Sequence, residues 1–171
     1  MLLPNEREAE MQIHELFAQR WESELPAFGR VLRAMPEEQL DYAPHERSTK
    51  AGNLGWQLAE EQRVLCDLLD TGVIDWKQRP RPATTAEIVK AWDDATAELR
   101  TRIEKLDDAK LASPANFVMG DGNTWTDTIG NMLWGFLFDM VHHRGQLSAY
   151  LRPMGGKVPA IYGPSADDNG G

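Results

Sequence analysis

Four long stretches of this chain repeat their apolar residues every third or fourth position, and none alternates convincingly between apolar and polar. That period belongs to amphipathic helices, so the pattern predicts helices and leaves strands without a signal. The first stretch runs from about Asn5 to Met35, with Ile13, Phe17, Trp21, Phe28, Val31, Leu32 and Met35 along one stripe. Pro26 lies inside it, lacks an amide donor and is expected to kink or split the helix, and Pro36 supplies a stop. The second spans about Thr49 to Asp70, capped by Ser48 or Thr49, ended by Gly72, with Leu54, Leu58, Leu65 and Leu68 inward. The third opens on Thr84-Thr85-Ala86-Glu87, a capping box in which Thr84 and Glu87 satisfy each other's free amides. Ile88, Trp92, Ala95, Leu99, Ile103 and Leu106 mark its buried face. The fourth extends from near Thr126 to Arg152-Pro153 and turns Ile129, Met132, Phe136, Met140, Leu147 and Tyr150 inward.

Four helices of similar length bury their stripes most simply against one another. The expected architecture is all-α, a four-helix bundle forming one domain over residues 1–171, with 165–171 a flexible tail. The first two links, near 36–47 and 71–83, are long for antiparallel hairpins between helices, which points to a crossover connection. A chain of 171 residues buries a core without covalent staples. Cys66 is the one cysteine, which excludes an internal disulfide and a multi-cysteine zinc site.

Charge narrows the function. Eighteen basic against 27 acidic residues leave a formal charge of −9, which repels phosphate backbones and anionic lipid. Nucleic acid and membranes are therefore excluded as main partners. No apolar run reaches the roughly 18 residues of a membrane span. The start, Met-Leu-Leu-Pro followed by charges, has no signal-peptide pattern, so a soluble cytoplasmic protein is expected. A glycine-rich phosphate loop and a serine elbow are both missing.

Ionisable residues inside apolar stripes mark the candidate site, because side chains of facing helices converge in a bundle core. At about 100° per residue, Glu61 projects about 20° from the Leu54 centre of the second stripe and Gln57 about 60° from it. On the fourth helix His143 lies about 20° from Phe136 and Asp139 about 60°, whereas His142 points well away. Asp139 and His143 are four residues apart, one above the other, a spacing that lets a carboxylate and an imidazole share one ion. Gln57 and Glu61 form a second such pair, and if the two helices are neighbours all four side chains meet. The same spacing also serves a plain Asp–His hydrogen bond that raises the pKa of the ring, and a Glu near a stripe edge can snorkel to water. Cys66 lies about 120° from its stripe centre, with Arg63 its only basic neighbour, and reads as a packed or surface thiol rather than a nucleophile. His14 and His45 read as surface residues without partners.

The fourth helix reads Asp139-Met140-Val141-His142-His143-Arg144-Gly145-Gln146-Leu147-Ser148-Ala149-Tyr150-Leu151-Arg152-Pro153-Met154-Gly155-Gly156, followed by Pro159-Ala160-Ile161-Tyr162-Gly163-Pro164-Ser165-Ala166-Asp167. This resembles the DinB/YfiT-like superfamily of bacterial four-helix-bundle proteins, whose last helix carries a His-His-Arg-Gly-Gln segment. Leu40-Asp41-Tyr42-Ala43-Pro44 and Asn53-Leu54-Gly55-Trp56-Gln57-Leu58 fit as well, so the likeness covers most of the chain. The resemblance implies a divalent metal held by three histidines, one early in the second helix and an i, i+4 pair on the fourth. Position by position, His143 matches one ligand, while Asp139 and Gln57 stand where the other two histidines would be. Glu61, one turn beyond Gln57, is the substitute donor. One imidazole with carboxylates suits zinc, nickel, manganese or iron. The resemblance further implies a thiol-dependent transferase, in which the ion deprotonates a low-molecular-weight thiol. Arg144 and Gln146 are expected to tie the helix to neighbouring chain ends, and Tyr162–Asp168 to strap across the bundle.

Trp134, Phe138 and Val141 lie opposite the core stripe of the fourth helix, and Trp56 does so on the second. A helix that is apolar all round is buried twice, which predicts a homodimer through the fourth helix with the second as a further candidate, unless the strap covers this face. Two function classes follow: a metal-dependent enzyme, and a non-catalytic small-molecule-binding or stress-response protein with a degenerate site.

Overall fold

All four periodic stretches are helical in the computed structural model of the chain, which describes residues 11–77 and 79–170. They form α1 (Ile13–Arg33), α2 (Ala51–Thr71), α3 (Thr85–Ile103) and, after the one-turn α4 (Asp108–Leu111), α5 (Ile129–Leu151). The onset expected at Asn5 lies outside the described residues. Pro26 does not split α1, which runs unbroken through it. Thr84 caps α3 through the expected box: its hydroxyl accepts from Glu87 N while the Glu87 carboxylate accepts from Thr84 N. Gly72, at φ 75°, ends α2 in the left-handed conformation that only glycine adopts without strain.

The cap of α2 differs from expectation. Its N-cap is Lys50 rather than Ser48 or Thr49, and among the described residues no side chain caps it. Instead Ala51 N donates to Tyr42 O and Gly52 N to Leu40 O, so a backbone turn takes over the task of a capping hydroxyl. The conspicuous Leu40–Pro44 stretch is that turn.

α1 and α2 each pack against both α3 and α5. The long α1–α2 and α3–α5 connections therefore join helices that pack less on each other than on the other two. The core between them holds Phe17, Trp21 and Phe28 from α1 and Leu54, Leu58, Leu65 and Leu68 from α2. α3 adds Ile88, Trp92 and Leu99, and α5 adds Met132, Met140 and Leu147. Each such side chain contributes about 1.5–3 kcal/mol by leaving water. On α5 the buried face is wider than the stripe read from sequence: Leu133, Leu137, Arg144 and Leu151 are buried, while Phe136 and Tyr150 are only half-buried.

The chain also holds a small sheet that the periodicity did not signal. β1 (Val73–Asp75) pairs in parallel with β2 (Pro114–Val118), and β2 pairs antiparallel with β3 (Thr124–Thr128). β3 occupies residues assigned from sequence to the start of the fourth helix, which begins only at Ile129 with Thr128 as its cap. Strands of three to five residues are too short to show a period against a helical background. Only Gly120-Asp121-Gly122-Asn123 between β2 and β3 carried a turn signal, with Gly122 at φ 84°. In register, Ile74, Phe117 and Trp125 share the sheet face turned to the helices.

Beyond α5, Gly155 at φ 82° turns the chain back along the helices. Arg30 Nε donates to Ala160 O, and Ala160 N donates to Asp168. The Asp167 carboxylate accepts from Arg152 and from Val158 N, so residues expected to form a loose tail are bonded as far as Gly170.

Candidate metal centre

Helical phase places the site where α2 and α5 face each other. Glu61 sits near the centre of the α2 stripe and is 1% exposed. His143 holds the corresponding position on α5 and is mostly buried, while Asp139, one turn back and nearer the stripe edge, is half open to solvent. His143 Nε2 lies 3.4 Å from Asp139 Oδ2 and 3.9 Å from Glu61 Oε1. Gln57, one turn before Glu61, reaches both: its Nε2 donates to Glu61 Oε1 at 2.9 Å and stands 2.7 Å from His143 Nε2. The four residues picked from sequence therefore form one cluster.

Gln146 joins them, contrary to its expected role. Its Oε1 is 2.9 Å from His143 Nδ1, three residues away on the same helix face, rather than bonded to a chain end. Nδ1–H donates to that oxygen, so Nε2 is the ring nitrogen turned to the carboxylates. The i, i+3 spacing was in the sequence, but the long side chain allowed either use. Arg144 does make the expected tie. Its Nη1 meets Glu24 and its Nη2 meets Tyr162, each at 2.5 Å, and its guanidinium lies over the rings of Phe28 and Tyr162.

Electrostatics at the cluster is unusual. Burial, the largest effect, pushes the Glu61 carboxyl up to about 8, against the lowering hydrogen bond from Gln57. The hydrogen bond to Asp139 is the main reason that the His143 imidazole rises to about 9, and the same contact holds the Asp139 carboxyl below its ordinary value. Gln57 fits two proton states. With Glu61 ionised and His143 neutral, its two N–H groups donate to both. With Glu61 and His143 both protonated, the amide turned over accepts from both through its oxygen, with the same heavy-atom positions. The raised values favour the second state at neutral pH when no cation is near.

A cation would favour unprotonated Glu61 and His143, and because the neutral ring has one lone pair at Nε2, it would take the place the Gln57 amide holds there and leave Gln57 bonded to Glu61. Glu61, Asp139 and His143 each offer one ligand atom, all within 4.8 Å of one another. Ligands bonded at about 2.1 Å around a tetrahedral ion stand about 3.4 Å apart, close to the spacings here. Among the described residues no group donates to the buried Glu61 Oε2, and the charge of Asp139 acts against its ionisation, a costly state for a carboxylate that a cation would relieve. Two carboxylates and an imidazole are also a sound donor set for a divalent transition ion. The residues present therefore fit a metal.

Other candidates separate from this centre. Cys66 is buried, its Sγ donating weakly to Gln62 O at 3.6 Å, and burial pushes its thiol up to about 11, which makes it inert. His45 is exposed as expected, and its Nδ1 accepts from Arg47 N. His14 does have a partner: Asp108 accepts from both its backbone N and its Nδ1, at 2.9 and 2.8 Å. That contact joins α1 to α4, an element too short to be read from sequence. The strap lies over α1 and α5, with Tyr162 bonded to Glu24, and leaves Phe138 64% exposed. Trp134 packs edge-on against Phe17 and beside Phe138. Trp56 belongs to another surface altogether, where its indole donates to Arg79 O under the Arg79 guanidinium.

Long helices with an oxygen-and-nitrogen donor cluster at the junction of two of them define a helical protein with a candidate metal centre. Residues 7–169 match the DinB family, and the chain belongs to that family. It is 24% identical over 154 residues to the uncharacterised protein YrdA of Bacillus subtilis (strain 168), covering 89% of each chain. Its fold is similar to a DinB-like protein from Bacillus cereus ATCC 10987, with a TM-score of 0.69 at 18% identity over 85% of this chain and 95% of that one. The DinB-like protein YjoA of Bacillus subtilis is similar too, with a TM-score of 0.65 at 16% identity, over 82% and 92%. Among the described residues no helix is long and apolar enough to cross a membrane.

Proposed function

We propose that this chain is a metal-dependent transferase built on a four-helix bundle, in which Glu61, Asp139 and His143 hold one divalent cation and a small thiol is the reacting partner. The observation that carries the metal is the buried Glu61 Oε2, without a donor among the described residues, facing an imidazole and a second carboxylate. The thiol comes from the DinB/YfiT-like resemblance. Zinc, nickel, manganese and iron all suit the donors. The chemistry such a cation supplies is Lewis acidity, which brings a thiol to its nucleophilic form at neutral pH. The chain's own residues do the rest. Gln146 fixes the His143 tautomer so that Nε2 faces the site, and Gln57, which would yield Nε2 to the cation, keeps its bond to Glu61. The half-open Asp139 leaves a way in for the thiol. The reading assigns the protein to the cytoplasm, where small thiols stay reduced.

A second reading, a non-catalytic ligand-binding or stress-response protein, draws on Gln57 and Asp139 standing where the family pattern has histidines. Metal analysis of protein purified without chelators separates the two. Under the enzyme reading His143→Ala loses bound metal and His142→Ala keeps it; equal loss in both, or no metal in the parent, favours the second. The exposed Phe138 beside Trp134 supports a homodimer through α5. A strictly monomeric species at tens of micromolar in light scattering would remove that part.

A further inference from the structure

The candidate metal centre borders a larger cleft. Gln57, Glu61 and Asp139 open into a cleft of about 1260 Å³, roomy for a ligand of two fused rings. Five aromatic side chains line it: Trp56 from α2, Trp76 after β1, Phe117 from β2, Trp125 from β3 and Phe136 from α5. None is fully buried. Phe117 and Trp125 are cross-strand partners on one sheet face, Phe117 stands edge-on to Phe136 at 6.0 Å, and Trp76 lies 6.4 Å from Phe136. The small sheet thus sets rings beside the cluster, and Trp125 among them is 48% exposed. Partly exposed rings set against one another are surfaces for stacking.

The polar lining is mixed: Gln57, Glu60, Glu61 and Asp139 share it with Lys50, Arg63, Lys77, Arg79 and Arg81, against the −9 of the whole chain. Arg63 and Arg79 are held by the buried Glu60, while Lys50 and Arg81 meet Asp41 and Lys77 meets Asp75. The Lys50 and Lys77 pairs are open to water, where such pairs contribute little, so these cations can exchange their acidic partner for a ligand anion at small cost.

We infer that the cleft binds a flat aromatic anion, its ring against Trp125, Phe117 and Phe136 and its anionic group towards Lys77 and Lys50, as the second substrate of the adjoining centre. This rests on the proposed transferase reading for the word substrate, though not for the binding itself. The test uses chelator-treated full-length protein, so that binding is measured apart from any metal. 2-Naphthoate, the neutral 2-naphthalenemethanol and cyclohexanecarboxylate are titrated by calorimetry. Naphthoate should bind one to one with a Kd below about 1 mM, and both other probes at least about fivefold more weakly. Trp125→Ala, at an exposed hairpin position, should weaken naphthoate about fivefold, and Lys50→Gln with Lys77→Gln should close most of the gap between naphthoate and the alcohol. No binding of naphthoate, equal binding of the alcohol, or an unchanged Trp125→Ala variant overturns the inference. Absence of metal in the untreated protein would overturn the transferase reading instead and leave these titrations as they stand.

Discussion

Zinc added to the metal-free protein should expel protons, and the number is a direct readout of the buried centre. With the Glu61 carboxyl at about 8 and the His143 imidazole at about 9, both are protonated at pH 7, and both must lose the proton to act as ligands. Asp139, held below its ordinary value, is already ionised. Binding one zinc ion at pH 7 should therefore release about two protons, against about a quarter of a proton for an unperturbed Glu and His. The same values make the apparent affinity rise by about three to four orders of magnitude between pH 6 and pH 8, where an unperturbed pair gains only about fourfold. Isothermal titration in buffers of different ionisation enthalpy gives the proton count as the slope of observed heat against that enthalpy. A release below about half a proton at pH 7, with affinity rising less than tenfold over the range, would refute the account of a buried, protonated centre. Glu61→Gln should remove about one of the two protons and thereby locate it.

Without metal, stability should fall as the solution becomes alkaline. Both groups have folded pKa values above their unfolded ones, so their stabilising contribution is complete below the unfolded values and lost as pH rises through about 8 for Glu61 and about 9 for His143. The urea midpoint of the metal-free protein should be lower at pH 9.5 than at pH 6, and Glu61→Gln should flatten the decline; a midpoint unchanged over that range would contradict it. Arg144→Ala should cost about 3 kcal/mol in denaturant unfolding, because Arg144 is 2% exposed and its loss leaves the mostly buried Glu24 carboxylate without its cation; a cost under about 1 kcal/mol would show the tie to be dispensable. Cys66 should resist iodoacetamide at pH 8 in the folded protein and react once unfolded in urea, as read by mass spectrometry; rapid native labelling would mean the thiol is neither buried nor raised.

Much of the site could be read before any coordinates. Helical projection put Glu61 and His143 near stripe centres with Gln57 and Asp139 at the edges, and their burial follows that order, because residues on a regular helix keep their phase whatever surrounds them. The cap of α3 was legible for the same reason, since Thr84 and Glu87 depend on nothing further away. The cap of α2 was not, because its donors are met by Tyr42 and Leu40 carbonyls whose position depends on how the preceding turn docks. His14 similarly gained its partner from a distant one-turn helix.

Local periodicity by itself determined the long helices, the apolar stripes they bury and the polar residues that interrupt those stripes. Tertiary structure alone decided that α2 and α5 face each other, that Gln146 turns to His143 rather than to a chain end, and that a three-stranded sheet sets its aromatic rings beside them. The division has a physical cause. A helix satisfies its backbone hydrogen bonds within one stretch and so writes its period into the sequence, whereas a short strand satisfies them only through a partner such as β2, whose residues lie some forty positions from β1.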